Sequence, residues 1–158
     1  EVSKLYKKNK NIFIKLNKKL PKYIFTFPID KAELTNAILS NKKNLNIINN
    51  TVHKEVRKKL DIFLKKNRNK KIVILDIPLF IENKIFKKTD ILIFVDSKKK
   101  DIKERIKKRA NYNVNLINVL RKIQLNPIYK KKKSHFIIKN TFAKKPIKKQ
   151  IKEILNLI

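Results

Sequence analysis

The chain has 158 residues, 42% of them hydrophobic, which is enough to fill the core of one domain and argues against a disordered tail. It contains no Cys, which excludes disulfides, a thiolate nucleophile and Cys-bound metals and favours a cytoplasmic location, and no apolar run approaches the roughly 20 residues that span a bilayer. The formal net charge of +31 predicts attraction to polyanions, but Lys is spread along the whole chain, as an A/T-rich coding bias would also produce, so charge alone assigns no function.

The first 66 residues are predicted to be largely helical. Apolar residues recur at helical spacings over residues 2–20, which indicates a surface helix or a helix pair that ends at Pro21. Asp30 can cap a short helix over residues 31–39, and a longer helical pattern extends over residues 45–66.

The period then changes to that of buried strands. Residues 72–75 form a short apolar run that ends at Asp76, and residues 91–95 repeat the pattern and end at Asp96. Both runs predict strands buried on both faces. A third strand is predicted over residues 136–138.

Helical patterns separate and follow these strands. Ser97 can cap a helix that reaches Arg109, and Asn113 can cap one whose apolar residues run over 114–123. Thr141 precedes a last predicted helix, whose apolar residues Ile147, Ile151 and Ile154 recur at helical spacing. The alternation of strands and helices predicts an α/β fold with a parallel sheet.

The segment at the end of the first predicted strand carries a family resemblance. Its sequence, Leu75-Asp76-Ile77-Pro78-Leu79-Phe80-Ile81-Glu82-Asn83, resembles the signature of dephospho-CoA kinases, where a buried strand runs into a Pro-Leu-Leu-x-Glu-like turn. The other matches come in the family's order and extend the resemblance over essentially the whole chain: Asp30-Lys31 with Leu34, His53 with Val56-Arg57, Glu104-Arg105 with Arg109, Gln124 with Pro127, and Ile137 to Asn140. The resemblance implies a P-loop nucleoside-monophosphate-kinase-like parallel sheet flanked by helices.

The resemblance also implies a segment that this sequence does not contain. In the family, the first strand, the glycine-rich phosphate loop and an acidic turn with the general base would precede Glu1, and by analogy that strand would lie between the strands at 72–75 and 91–95. The chain has no Gly and therefore no phosphate loop, so the fragment as given is expected not to catalyse. Lys31, Lys54, Ser134-His135 and Phe142 stand where the family usually has Arg, Pro, Ala-Asp and the Gly of Asn-x-Gly.

The expected organisation is a single kinase domain over residues 1–158. Its helical acceptor-binding part lies at about residues 30–68 and its helical lid at about residues 105–132.

Two arginines are the candidate catalytic residues that the resemblance implies. Arg105 and Arg109 are four residues apart on one predicted helix, so they would share a face and could reach the transferring phosphoryl group from the lid. A solvated basic face is the alternative for both.

Five residues are candidates for binding the acceptor, each with a structural alternative. The candidates are Asp30, Lys31, His53, Pro78 and Glu82. His53 is expected to begin a helix in the acceptor-binding part. The structural alternatives for the members of this set are helix capping, turn formation or, for His53, a purely structural histidine.

Three further residues are candidates for the nucleotide and its metal. Asn140 could read the adenine edge through its amide, or cap a turn, and Gln124 could bind ATP from the lid. Asp76 could hold Mg²⁺ through water at the end of a strand, and Asp96 has the same local setting. A helix-capping or turn role is the alternative for each.

The function implied by the resemblance is ATP-dependent phosphorylation of the 3′-hydroxyl of dephospho-CoA, the last step of coenzyme A biosynthesis. It implies ATP as donor, Mg²⁺, and dephospho-CoA as partner, with no membrane and no nucleic acid. Three alternatives stay open: a basic nucleic-acid-binding protein, a P-loop kinase for another nucleoside or nucleotide, and a truncated gene product without activity.

Overall fold

A computed structural model describes all of residues 1–158 as helices and two short strands that divide into two compact units. Unit 1 comprises Glu1–Asp76 and Asn115–Val119, and unit 2 comprises Ile77–Val114 and Leu120–Ile158. The single kinase domain stays a prediction. The elements in chain order are α1 Val2–Lys8, α2 Lys10–Lys19, α3 Lys31–Ser40, α4 Lys42–Lys66, β1 Ile93–Asp96, α5 Lys99–Lys107, α6 Val114–Lys122, α7 Pro127–Lys133, β2 Phe136–Lys139 and α8 Lys144–Leu155.

The hydrophobic core of unit 1 lies among its four N-terminal helices. The predicted helix pair is confirmed as α1 and α2, but it is more than a surface feature, because Leu5, Ile12 and Leu16 are completely buried. Residues of α3 and α4 complete the same cluster, which therefore joins segments far apart in the sequence: Leu5, Ile12, Leu16, Leu20, Ile24, Ile29, Leu34, Ala37, Ile48 and Val52.

Three helices of unit 1 begin at a polar side chain that accepts a backbone N–H. Asn9 caps α2 through Ile12, Asp30 caps α3 through Ala32 at 2.6 Å, and Asn41 caps α4. Such caps satisfy amide groups that have no partner within the helix. The predicted helix start at Asp30 is therefore confirmed.

We predict that Asp30→Ala destabilises unit 1 by about 1 kcal/mol, because the Ala32 amide loses its acceptor. Urea unfolding followed by circular dichroism would measure the loss. Asp30→Asn, which keeps the accepting oxygen, is the matched control and should retain most of the stability. Equal stability of the Ala variant and the wild type would show that the cap contributes nothing.

Unit 2 contains a two-stranded parallel sheet. β1 pairs with β2 from Ile93 opposite Phe136 to Asp96 opposite Lys139, which confirms the strands predicted over 91–95 and 136–138. At the start of the pair, the Leu92 amide donates to Nδ1 of His135 at 2.8 Å. No helix of the chain combines the length and the apolar character needed to cross a membrane.

The strand predicted over residues 72–75 is wrong. This segment has no regular secondary structure and pairs with no strand, and Ile74 is 83% exposed. The predicted burial on both faces is also wrong for β1, where Ile93 and Val95 are exposed. A parallel strand is stabilised and buried by its neighbours, and a sheet of two strands supplies few of them.

The helices that follow β1 differ from prediction mainly at their ends. α5 has its N-cap at Lys98 instead of Ser97, and it ends at Lys107, so Arg109 lies in the turn beyond it. A helix terminus depends on local hydrogen bonds, so periodicity alone predicts it to within only a few residues. The helices predicted after Asn113 and after Thr141 are confirmed as α6 and α8.

Candidate active site

The carboxyl ends of β1 and β2 lie side by side in unit 2 and carry polar groups. Asp96 ends β1, and its carbonyl oxygen accepts the amide of Asn140 at 2.7 Å, just beyond the end of β2. The carboxylate of Asp96 also pairs with the ammonium group of Lys131 in α7. This edge of a parallel sheet is where open α/β folds bind their ligands.

The loop after β2 is shaped by Asn140. Its Oδ1 accepts the backbone N–H of Phe142 at 2.8 Å, and Phe142 has a φ of 62°, in the left-handed region. The turn-forming alternative for Asn140 is therefore present in the structure, and a contact of its amide with adenine stays a prediction.

Arg105 is the predicted catalytic residue that contacts this loop. It lies in the last turn of α5, and its guanidinium carbon is 4.5 Å from the centre of the Phe142 ring. The predicted shared helical face with Arg109 is wrong, because α5 ends at Lys107 and the Arg109 amide donates to the Ile106 carbonyl in the turn beyond the helix.

A turn over residues 78–84 positions Pro78 and Glu82. Leu79 and Lys84 both have positive φ, and the turn is closed by a hydrogen bond from the Asn83 amide to the Leu79 carbonyl at 2.9 Å. The family-like stretch is therefore a compact turn after an irregular segment, rather than the predicted turn after a buried strand.

Glu82 connects this turn to the region predicted to be the lid. Its Oε1 accepts the Leu125 amide at 3.0 Å and lies 2.6 Å from Nζ of Lys130, and both charged side chains are largely buried. Burial raises the pKa of Glu82, but the hydrogen bonds from Lys130 and from the backbone amides of Glu82 and Leu125 outweigh it and hold that pKa below its usual value. The carboxylate is therefore already engaged within the protein.

Because the pKa of Glu82 is lowered by folding, its ionised form stabilises the native state, and this contribution is lost as the pH falls below about 4.5. We predict that Glu82→Gln lowers the free energy of unfolding at pH 7 by about 1–3 kcal/mol and flattens its decline with acid. Denaturant unfolding at a series of pH values would test this. An unchanged pH dependence in the variant would contradict it.

The remaining predicted site residues of unit 2 and Asp76 show fewer contacts. Gln124 is exposed in the turn after α6, next to Leu125, whose amide donates to Glu82. Asp76 is exposed at the end of the irregular segment. No group of three His, Cys, Asp or Glu side chains forms a metal site.

The predicted acceptor residues of unit 1 lie on two helices. Asp30 caps α3 and Lys31 is its first residue. The prediction that His53 begins a helix is wrong. His53 lies in the interior of α4, because the helical pattern continues unbroken through it. Partial burial, together with the nearby Arg57 cation, lowers the pKa of His53 and favours a neutral ring.

Comparison with known proteins assigns the family. The family model for dephospho-CoA kinase matches residues 3–145 of this chain. The chain belongs to the dephospho-CoA kinase family. Relatives named dephospho-CoA kinase include those of Wolbachia pipientis wMel, 29% identical with 98% of this chain and 80% of the relative covered; Ehrlichia canis, 28% with 98% and 78% covered; and Bartonella quintana, 27% with 87% and 71% covered.

Several contacts in this dephospho-CoA kinase family member were not foreseen from its sequence. The stacking of Arg105 on Phe142 and the pairing of Glu82 with Lys130 join residues with no shared motif. Glu33 is a buried carboxylate in α3 that no motif in the sequence marks. The one signal in the sequence was the replacement of the family's Gly by Phe142, which marks an unusual backbone position.

Proposed function

We propose that this protein transfers the γ-phosphoryl group of ATP to the 3′-hydroxyl of the ribose of dephospho-CoA. The bond between the γ-phosphorus and the β–γ bridging oxygen breaks, and a bond from the 3′-oxygen to phosphorus forms. The hydroxyl loses its proton, and ADP leaves with the bridging oxygen. The enzyme's task in such a reaction is to align the two reactants and to neutralise phosphate charge.

The observation that best supports this proposal is the position of Arg105. The family match makes a phosphoryl group the expected ligand, and the structure has a guanidinium group against the loop at the carboxyl end of β2. Arg donors fit phosphoryl oxygens in a bidentate manner and stabilise the charge of the transferring group. We assign this role to Arg105, with Arg109 contributing from the turn after α5.

The base of ATP is proposed to bind beside Asn140 and the phosphate chain to extend toward Arg105. Gln124 is proposed to contact ATP from the segment that Glu82 fixes through Leu125. A glycine-rich phosphate loop is not part of residues 1–158, since the chain contains no Gly, and we propose that residues encoded upstream of Glu1 supply it.

Magnesium, when bound with the nucleotide, would neutralise phosphate charge. In unit 1, Asp76 is proposed separately to hold Mg²⁺ through water, because a single exposed carboxylate suits an ion that keeps most of its own water ligands.

The acceptor is proposed to bind the helical region of unit 1 that includes Asp30, Lys31 and His53. In unit 2, Pro78 is proposed separately as an acceptor-binding residue. Lys31 offers a cation to the diphosphate of dephospho-CoA, and a neutral His53 offers a hydrogen bond. For Glu82 the contacts favour an indirect role: it positions the turn that carries Pro78 and the segment near Gln124.

The internal ion pairs weaken the case for a nucleic-acid-binding protein. Residues 130–133 form a tight run of lysines, which is the kind of clustered charge that would suit such a protein. Lys130 pairs with Glu82 and Lys131 with Asp96, so two of its four cations are engaged within the protein.

The test is an ADP-release assay on the protein expressed from the reading frame that includes the codons upstream of Glu1. We expect ADP release with dephospho-CoA, none with nucleoside monophosphates, and a new 3′-phosphomonoester in the ³¹P spectrum. Activity with a nucleoside monophosphate alone would assign another kinase reaction. RNA binding that falls steeply with salt, without any response to ATP or dephospho-CoA, would support the nucleic-acid alternative.

A further inference from the structure

Phe142 has a backbone conformation that its side chain disfavours. Its φ is 62°, where the Cβ atom crowds the backbone and where bulky residues are rare. The residue is 40% exposed, so burial in a core does not explain the conformation. A disfavoured conformation of this kind persists only where the surroundings hold it, and it is most frequent at functional sites.

Two contacts hold Phe142 in this conformation. The backbone N–H of Phe142 donates to Oδ1 of Asn140 at 2.8 Å, which fixes the turn. The ring lies under the guanidinium group of Arg105, with 4.5 Å between the guanidinium carbon and the ring centre. The turn therefore links the end of β2 to the last turn of α5.

Stacking on a ring suits an arginine that must bind phosphate. A guanidinium group that lies flat on an aromatic ring keeps the N–H donors in its plane directed outward. An arginine with many rotamers is thereby restricted without losing its donors. A glycine at position 142 would have no side chain with which to do this.

We propose that Phe142 is a positioning residue that holds Arg105 for phosphoryl transfer. This inference rests on the proposed function, because it assigns Arg105 to the transferring group. Phe142 acts through Arg105 and touches neither substrate. Leu79 and Lys84 also have positive φ, but neither has an aromatic ring on which an arginine could lie.

The test compares Phe142→Gly, Phe142→Leu and Phe142→Tyr in the protein expressed with its upstream codons. The Gly variant favours the native φ and so retains the fold. We expect the Gly and Leu variants to lower kcat by about 3- to 30-fold with little change in KM for dephospho-CoA, and the Tyr variant to retain activity. Phe63→Leu, at a similarly exposed phenylalanine of α4, is the matched control and should behave as wild type.

A second measurement reports the stacking itself. The Nε–H resonance of Arg105 should be shifted by the ring current in the wild type and in Phe142→Tyr, and should move toward the free-arginine position in the Gly and Leu variants. Wild-type kcat in the Gly and Leu variants, alongside impaired Arg105→Ala, would overturn the inference and leave the proposed function intact. Absence of ADP release with dephospho-CoA in the wild type itself would overturn the proposed function and, with it, this role.

Discussion

Replacing Arg105 with Ala is expected to lower turnover at least tenfold in the protein expressed with its upstream codons, and Arg109→Ala is expected to do the same. Each change removes a cation proposed to stabilise charge on the transferring phosphoryl group, and the loss of one such preorganised group costs about 2.7–4 kcal/mol in a well-ordered site. Steady-state ADP release at saturating ATP and dephospho-CoA is the measurement.

A lysine variant of Arg105 separates the effect of its charge from the effect of its planar shape. Arg105→Lys keeps the charge but loses the flat guanidinium that stacks on Phe142, so only partial activity should return. Lys103→Ala removes one cation from the same helix, at an exposed position outside the proposed site, and is the control for net charge. Wild-type turnover in both arginine-to-alanine variants would remove the lid assignment.

The helices of unit 1 could be predicted from the sequence because the signals that define them are local. Apolar spacing over residues 2–20 and the cap at Asp30 each involve residues within a few positions of one another, and α1, α2 and α3 formed there. The extent to which each side chain is buried could not be predicted from the spacing of the apolar residues. Leu16 is completely buried because α4, far along the chain, packs over it.

The strands, unlike the helices, depend on residues far away in the sequence. Residues 72–75 and 91–95 have the same apolar character, yet only the second run forms a strand, because the segment around Phe136 pairs with it. A β-strand is defined by hydrogen bonds to another segment, so composition indicates the capacity to form one and not the partner.

The contacts of the candidate site residues could not be predicted from the sequence, and the roles of these residues stay predictions. The motif order pointed to Arg105, Glu82 and Asn140. Their partners could not be inferred from it, because the Glu82 contact with Leu125 spans 43 residues and that of Arg105 with Phe142 joins a helix to a distant loop. The predicted common face of Arg105 and Arg109 failed for a local reason, the early end of α5.

The absence of Gly from the chain has a direct consequence for the turns of unit 2. Where a chain usually places Gly at left-handed positions, this one has Leu79, Lys84 and Phe142. Each conformation disfavours folding by about 1–2 kcal/mol relative to a right-handed one. Side-chain contacts must offset that cost, as Asn140 does for Phe142.

Glu33→Ala is expected to destabilise unit 1 by about 2–4 kcal/mol. The Glu33 carboxylate is buried in the first turn of α3 and accepts three hydrogen bonds, from the Thr26 hydroxyl at 2.6 Å, the Thr26 amide at 3.1 Å and the Phe25 amide at 3.3 Å. Its removal would leave those donors without the acceptor that fixes the preceding turn onto the helix. Urea unfolding followed by circular dichroism at about 222 nm would measure the loss.

Two further variants separate the buried network from a general loss of charge. Thr26→Val removes only the hydroxyl donor and should cost about 1 kcal/mol, while both amides keep Glu33 as acceptor. Glu55→Ala removes an acid of α4 whose partner, Lys58, is largely exposed, and should change stability by less than about 0.5 kcal/mol. If Glu33→Ala were no more destabilising than Glu55→Ala, the three hydrogen bonds would not hold the turn, and burial of the α3 face alone would have to fix it.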